Sequence, residues 1–159
     1  MKPTVVEIPV SPTLVAVVDV EDEALVSMMS WHPLRRDHAI YAAHTARDRR
    51  TLLIHRVILG LSDSRIYVDH RDGDGLNNRR SNLRVCTSRL NIGNSRRRVD
   101  NVTGFKGVGF NPRTRRYHAH IRVDDKNHYL GGRFATAEEA HAAYCEAAQR
   151  VFGEFARFK

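Results

Sequence analysis

Between Val68 and Asn94 the chain reads VDHRDGDGLNNRRSNLRVCTSRLNIGN, which brings a carboxylate, an imidazole and several carboxamides close together. Asp69 is a hard oxygen donor of the kind that magnesium or manganese prefers. His70, with an unperturbed pKa of about 6.5, can be neutral near neutral pH and take a proton from water. Hydrolysis of a phosphodiester needs a water activated by a base, a cation on the non-bridging and leaving oxygens, and rigid positioning. The constellation suits that chemistry. Adjacent side chains of a regular strand leave opposite faces, so a kink at the strand end is expected to let Asp69 reach a metal while His70 faces the phosphorus.

The elements that must position these groups are legible in the same stretch. An apolar strand ends in Asp69-His70, a Gly/Asp/Asn/Arg loop follows, and a return strand occupies Leu83 to Cys86. Thr87 can then cap a helix, its oxygen accepting an unpaired amide hydrogen of the first turn. A calcium loop is the other reading of Asp-Gly-Asp-Gly. It fails, because an EF-hand opened by Asp72 would need Glu at its twelfth position, where Leu83 stands. Structural zinc is not expected either: no C-x-x-C is present, and His32, His38, His44, His55, His118, His120, His128 and His141 form no ligand cluster by spacing.

VDHRDGDGLNNRRSNLRVCTSRLNIGNS resembles the HNH, or His-Me finger, endonuclease motif. It is most similar to the form in homing endonucleases of phage and group I introns, whose D-H…N-L-R-x-x-T…N pattern it repeats. The resemblance implies a ββα-metal fold around a single divalent cation, with Asp69 as a metal ligand and His70 as the general base. Asn82, twelve residues beyond His70, would hold the loop and orient the imidazole. Asn91, twenty-two beyond Asp69, would be the second protein ligand. Asn94 competes with Asn91, since residues three apart share a helix face. Asn77 and Asn78 compete with Asn82, which directly precedes the apolar return strand. Asn in place of the family's third-letter His makes the site oxygen-rich and favours magnesium, or manganese, over a softer metal. Similar endonucleases also carry a His-Arg pair where His55-Arg56 stands, and a structural or phosphate-contacting role is expected for it.

The remainder of the first 98 residues supplies the frame of this module. Residues 4–20 read as two short strands broken at Ser11-Pro12. From Glu21 the pattern turns helical, with Leu25, Val26, Met28, Met29 and Trp31 expected in the core behind an acidic first turn (Glu21, Asp22, Glu23), and with Pro33 as the stop. A hairpin is expected to pair Ala39–His44 with Thr51–Ile54 across Arg47-Asp48-Arg49-Arg50. His55 then opens a short helix closed by Gly60. The basic run Ser95-Arg96-Arg97-Arg98 leads into a linker at residues 99–104.

From Phe105 the pattern changes. Strands are expected over 105–111, 116–123 and 128–130, then a helix from the capping box Thr136-Ala137-Glu138-Glu139 to about Val151. In the middle strand Tyr117, Ala119, Ile121 and Val123 alternate with Arg116, His118, His120 and Arg122. The apolar set needs a cover, and the helix offers Ala137, Ala140, Ala143, Tyr144, Ala147, Ala148 and Val151. The basic set, with Arg115 beside it, stays open to a DNA groove. GFKGVGFNPRTRRYHAHIRV, YLGGRFATAEEAHAAYCEAA and FGEFARF resemble the APETALA-type (ethylene-response-factor) DNA-binding domain over residues 105–159. The resemblance implies a three-stranded sheet reading the major groove, and adds Lys106, Asn111, Arg113, Asn127 and Tyr129 to the DNA-facing residues. It departs from the plant pattern at Gly109, where plant members carry a base-reading arginine, at the sheet tryptophans, and by an extra residue near Arg113. A plant recognition sequence therefore does not carry over.

Composition agrees with a nucleic-acid partner. A formal charge of +8 over 159 residues favours a polyanion. The two cysteines, Cys86 and Cys145, give no disulfide framework and fit a reducing compartment. MKPTVVEIPVSP is not expected to act as a secretory signal, and no apolar run could cross a bilayer. The chain is thus expected to be an α+β protein in which a ββα-metal HNH module with N-terminal antiparallel strands precedes a three-stranded antiparallel sheet packed on one helix. Its expected activity is metal-dependent nicking of double-stranded DNA as a monomer, without membrane or small-molecule cofactor, in the cytoplasm of a bacterial or phage-infected cell. The alternative class is a DNA-binding regulator with an inert nuclease half, against which the intact Asp69, His70, Asn82 and Asn91 argue.

Overall fold

The computed structural model describes residues 4–36 and 39–158, so His38 lies outside it. The chain divides into two compact units, Met1–Cys86 and Thr87–Lys159. The division falls before the short helix and the arginine run, rather than at the expected linker 99–104.

In the first unit β1 (Val5–Ser11) and β2 (Leu14–Asp19) form an antiparallel hairpin. Period-two alternation sends Ile8, Val10, Ala16 and Val18 into the core. The helix expected from Glu21 to Pro33 shrinks to a 3-10 turn, Val20–Asp22, and a single turn α1 (Glu23–Val26). One turn can present only one side, so Val26 and Trp31 are buried while Leu25 and Met28 are exposed. Pro33 does not end a helix but sits in β3 (His32–Arg36), an edge strand, where a missing N–H costs little. β4 (Ala39–Thr45) and β5 (Thr51–Leu53) complete a sheet of order β3-β4-β5, and the hairpin between β4 and β5 is the expected one. α2 (Ile54–Ile58) follows, with Gly60 just beyond it at φ 63°, the left-handed C-terminal position that glycine favours. β6 (Tyr67–His70) and β7 (Leu83–Cys86) pair antiparallel with the loop 71–82 between them. The core under these elements gathers Ile8, Val18, Val26, Trp31, Ile54 and Leu83.

The second unit begins with α3 (Ser88–Gly93), capped by Thr87, whose oxygen accepts from the Leu90 N–H at 3.3 Å. β8 (Val108–Asn111), β9 (Arg116–Val123) and β10 (Lys126–Phe134) form an antiparallel sheet of order β10-β9-β8. A two-residue turn joins β9 to β10, with Asp124 and Asp125 both at positive φ, the geometry that matches strand twist. α4 (Ala137–Phe152) is fixed at its start by the capping box: Thr136 accepts from the Glu139 N–H, and Glu139 accepts from the Ala135 N–H at 2.8 Å. Ala119, Ile121 and Val123 are buried on β9, as are Ala137, Ala140, Tyr144, Ala147 and Ala148 on α4. The sheet-on-helix layer is thus the one read from the sequence. Among the described residues no helix is long and apolar enough to cross a membrane.

Candidate active site

The β6–β7 register runs regularly through Asp69↔Arg84 and His70↔Leu83. The expected kink is absent, and Asp69 and His70 leave opposite faces of the hairpin. On one face the Asp69 carboxylate, with a side chain 5% exposed, pairs with the equally buried Arg84. Both Nε, at 2.9 Å, and Nη2 of Arg84 donate to Oδ2. Each charge would be costly to bury alone, and the pairing removes most of that cost.

On the other face the His70 ring meets His55 edge to face, with centroids 5.0 Å apart, and Tyr41 at 5.8 Å. Its Nε2 lies 3.2 Å from the Oδ1 of Asn78, a residue with no exposed surface. The Asn78 amide nitrogen donates to the Leu76 carbonyl at 2.9 Å and to the Gly75 carbonyl at 3.4 Å. Those donations fix the amide so that oxygen faces the ring. Nε2 then carries the proton, and Nδ1 is left with the lone pair. Burial lowers the His70 pKa from 6.5, opposed by the Asn78 bond and by the nearby Asp72, Asp69 and Asp74 carboxylates. The imidazole is therefore neutral at pH 7 and able to accept a proton.

Asn82, expected to hold the loop and orient the imidazole, makes its hydrogen bonds within the loop. Its Nδ2 donates to Asp72 Oδ1 at 3.0 Å and to the Asn77 carbonyl at 2.7 Å, and its Oδ1 accepts from the Asp72 N–H. It holds the loop; Asn78 holds the imidazole. Nothing in the spacing distinguishes the two, because Asn78 acts through the backbone turn that carries it.

The loop is fastened to the N-terminal hairpin. Val17 bridges Asn77, with backbone bonds from Val17 N–H to the Leu76 carbonyl at 2.8 Å and from Asn78 N–H to the Val17 carbonyl at 2.7 Å. Arg79 binds Asp19 at 3.0 Å, and Arg80 reaches the buried Asp22 at 2.6 Å. The acidic turn read as a helix-dipole complement thus anchors the loop 71–82. Gly75 lies so close to β4 that a Cβ there would stand 2.5 Å from the Ile40 carbonyl oxygen, which leaves room for no other residue.

His55 belongs to this site. It is 5% exposed, its Nδ1 has no hydrogen-bond partner, and burial beside His70 lowers its pKa to about 3. Arg56 next to it donates to the Ile66 and Asp63 carbonyls at 2.7 and 2.6 Å, closing the segment that leads into β6. Only the His-Arg likeness in the sequence marked this pair.

Of the two expected metal ligands, Asp69 lies in the first unit and Asn91 in α3 of the second, as does Asn94 at its C-cap. Among the described residues no group of three His, Cys, Asp or Glu is placed to hold a metal. Burial and the neighbouring Asp69 push the Cys86 thiol up to about 11, so it offers no thiolate. In the first unit the Asp69 carboxylate is a hard oxygen donor of the kind that a divalent cation takes. Were Asp69 to hold the ion, Arg84 would be the outer hydrogen-bond partner that a ligating carboxylate ordinarily has.

In the second unit the expected DNA-facing residues separate. Arg113, Arg115, Arg116, Arg122, Asn127 and Tyr129 are exposed. His118 lies between His120 and Tyr129, with centroids 6.1 and 6.5 Å away and rings tilted by 31° and 24°, so the three nearly pave the open face. Gly109 makes room for this paving, since a Cβ there would meet the His118 ring at 2.4 Å. The Asn111 side chain is committed to the turn, accepting from Arg113 and Thr114 N–H. Lys106 is not on the open face: it is half-buried and donates to the Gly93 and Ser95 carbonyls.

A family model described as HNH endonuclease matches residues 53–91, from just before His55 to Asn91. Over 146 residues the chain is 30% identical to "Uncharacterized HNH endonuclease L560" of Acanthamoeba polyphaga mimivirus, covering 89% of this chain and 72% of that protein. It is 28% identical over 93 residues to "Protein 3.8" of Escherichia phage T7, covering 58% of this chain and 75% of that one. No solved structure matches the chain. HNH nucleases generally use a divalent metal ion. The motif match, together with a likeness that spans most of both proteins, establishes that the chain belongs to the HNH endonuclease family of DNA-cleaving hydrolases.

Proposed function

We propose that the protein is a magnesium- or manganese-dependent endonuclease of the homing or phage type that nicks double-stranded DNA, with the first unit cutting and the second anchoring. The observation that carries the cutting role is the buried, neutral His70 imidazole, clamped through Nε2 by Asn78 so that Nδ1 keeps its lone pair. Nδ1 takes the proton of the attacking water. The imidazolium that forms is favoured by the Asn78 oxygen and by the carboxylates of Asp72, Asp69 and Asp74. Asp69 is the metal ligand assigned to the first unit, and Asn91 the second that the family resemblance supplies. When bound, the divalent ion would stabilise charge on the phosphorane-like oxygens and the departing 3′ oxygen. One such site serves one phosphate per visit, which favours a nick.

The anchoring role is supported by the exposed arginines at 113, 115, 116 and 122, together with the sheet-on-helix layout that the APETALA-type resemblance implies. A DNA-binding regulator with an inert first unit is the second reading, favoured by the engagement of Asp69 with Arg84.

A supercoiled-plasmid assay with magnesium and with EDTA separates the two. His70→Ala should lower nicking by about 10²–10⁴-fold, the usual size for loss of a general base, with DNA affinity nearly unchanged. Nicking by His70→Ala at the parental rate would remove the role given to that residue, and no metal-dependent nicking by the parent would favour the regulator.

A further inference from the structure

The second unit contains a half-open cavity of about 530 Å³ that no step above uses. Its volume lies in the range of about 300–1,000 Å³ typical of small-molecule sites. Arg96, Arg97 and Arg98 line one side, joined by Lys106 and Arg122. Among the described residues the one lining carboxylate is Asp125, which Arg122 binds at 3.0 Å, and Asp100, outside the lining, pairs with Arg98 at 2.8 Å.

Two of these cations are held only by neutral oxygens. Lys106 Nζ donates to the Gly93 carbonyl at 2.9 Å and the Ser95 carbonyl at 2.6 Å, and stands 5.9 Å from the Tyr144 ring centroid. Arg97 Nη1 donates to the Asn101 carbonyl at 2.9 Å and the Arg98 carbonyl at 3.4 Å. Carbonyl dipoles fix the position of a cation without cancelling its charge. Burial lowers the Lys106 pKa to about 8, the direction for a desolvated ammonium that lacks a counter-charge. An anion in the cavity would supply that charge, and the bond it made would be charge-assisted. Ile92, Ile121, Tyr144 and Phe152 supply the apolar part of the lining, beside the polar Ser95, Asn101 and Asn127.

We propose that this cavity is a nucleotide site, taking a phosphate of a nucleic-acid strand beside Lys106 and the 96–98 arginines, with the attached sugar and base on the apolar lining. The choice of a nucleic-acid phosphate rests on the nuclease reading; the excess of cations over carboxylates does not. The phosphate can belong to a strand end or to an internal phosphodiester.

The test is titration of the full-length protein with thymidine 5′-monophosphate, thymidine and inorganic phosphate, followed by backbone amide NMR. The nucleotide should move the signals of Arg97, Gly107 and Ile121 saturably, thymidine should not, and inorganic phosphate should bind more weakly. The double substitution Arg96→Gln, Arg97→Gln should weaken nucleotide binding by roughly tenfold or more, the size of one lost hydrogen bond to a charged group. It leaves Lys106, which ties segment 93–95 in place, untouched.

Absence of a saturable shift, an equal response to thymidine, phosphate binding as tight as the nucleotide, or full affinity in the double variant would each overturn the proposal. Tetrathymidylate with and without a 5′-phosphate separates the sources: preference for the phosphorylated form supports a strand end, and equal binding supports an internal phosphodiester. Plasmid nicking measured alongside keeps the readings apart. Nicking without nucleotide binding sinks this inference alone, and nucleotide binding without metal-dependent nicking sinks the nuclease reading alone.

Discussion

Replacing Asn78 with alanine should loosen the His70 imidazole, the proposed general base, without changing any charge. The substitution removes the 3.2 Å contact to His70 Nε2 and the 2.9 Å bond to the Leu76 carbonyl. In the resting enzyme the contact to Nε2 joins two neutral groups and contributes about 1 kcal/mol, whereas with an imidazolium it contributes about 1.5–3 kcal/mol. The difference, about 0.5–2 kcal/mol, is present only as the water loses its proton, and corresponds to roughly 2- to 30-fold in the rate of the chemical step. Stability should fall as well, because the Gly75 carbonyl loses the Asn78 donor and the Leu76 carbonyl keeps only the Val17 N–H, at about 1–3 kcal/mol. Single-turnover nicking of supercoiled plasmid at saturating metal, well below the melting temperature, isolates the first effect; urea denaturation measures the second. A variant that loses the expected stability yet nicks at the parental rate, outside that roughly 2- to 30-fold range, would refute the assignment. The imidazole would then be oriented by some other group, and Nδ1 would have no special claim to be the base.

Three further outcomes are expected. The nicking rate should rise with pH and level off, with a midpoint below 6.5, because burial lowers the pKa of the base and only neutral His70 accepts a proton; a midpoint above 6.5 contradicts this. His55 stays neutral in the folded chain down to about 3, while the unfolded chain binds the proton below 6.5. Its contribution to stability is therefore complete above the unfolded value and is lost as pH falls from there to the folded one, on the order of 5 kcal/mol in all. Urea midpoints at several pH values should show the loss in the parent and a flatter profile in His55→Leu; parallel profiles would clear His55. Asp22→Asn breaks the pair with Arg80, whose side chain is 46% exposed and so partly screened. The expected cost is about 1–3 kcal/mol, between the fully buried and the surface cases, and a urea midpoint equal to the parent's would show that the loop needs no such anchor.

What the sequence made legible was local. The Thr87 and Thr136 caps, the β6–β7 strands and the alternation of β9 each depend on neighbours a few residues away, and all stand where the pattern put them. The apolar run after Glu21 misled because helical spacing does not set helix length, and Pro33 was free to join an edge strand. Asn78 and Asn82 carry the same chemistry four positions apart, and only the turn that buries one against His70 divides their roles. Lys106 was read as a surface cation, since its partners are backbone carbonyls that no side-chain pattern announces. The tie between loop and hairpin spans some sixty residues, as in Arg80 to Asp19, and no short window contains it.

That tie bears on how the nuclease could be moved into other proteins. A fragment trimmed to the stretch that the family model matches, residues 53–91, would keep His55, Asp69, His70 and Asn78 but leave behind Val17, Asp19 and Asp22. The loop that sets Asn78 against the His70 ring would then have neither its bridge to Val17 nor its ionic tethers. A transplantable cutting module has to begin at β1, so a designer borrowing this chemistry must take the N-terminal hairpin as part of the cassette.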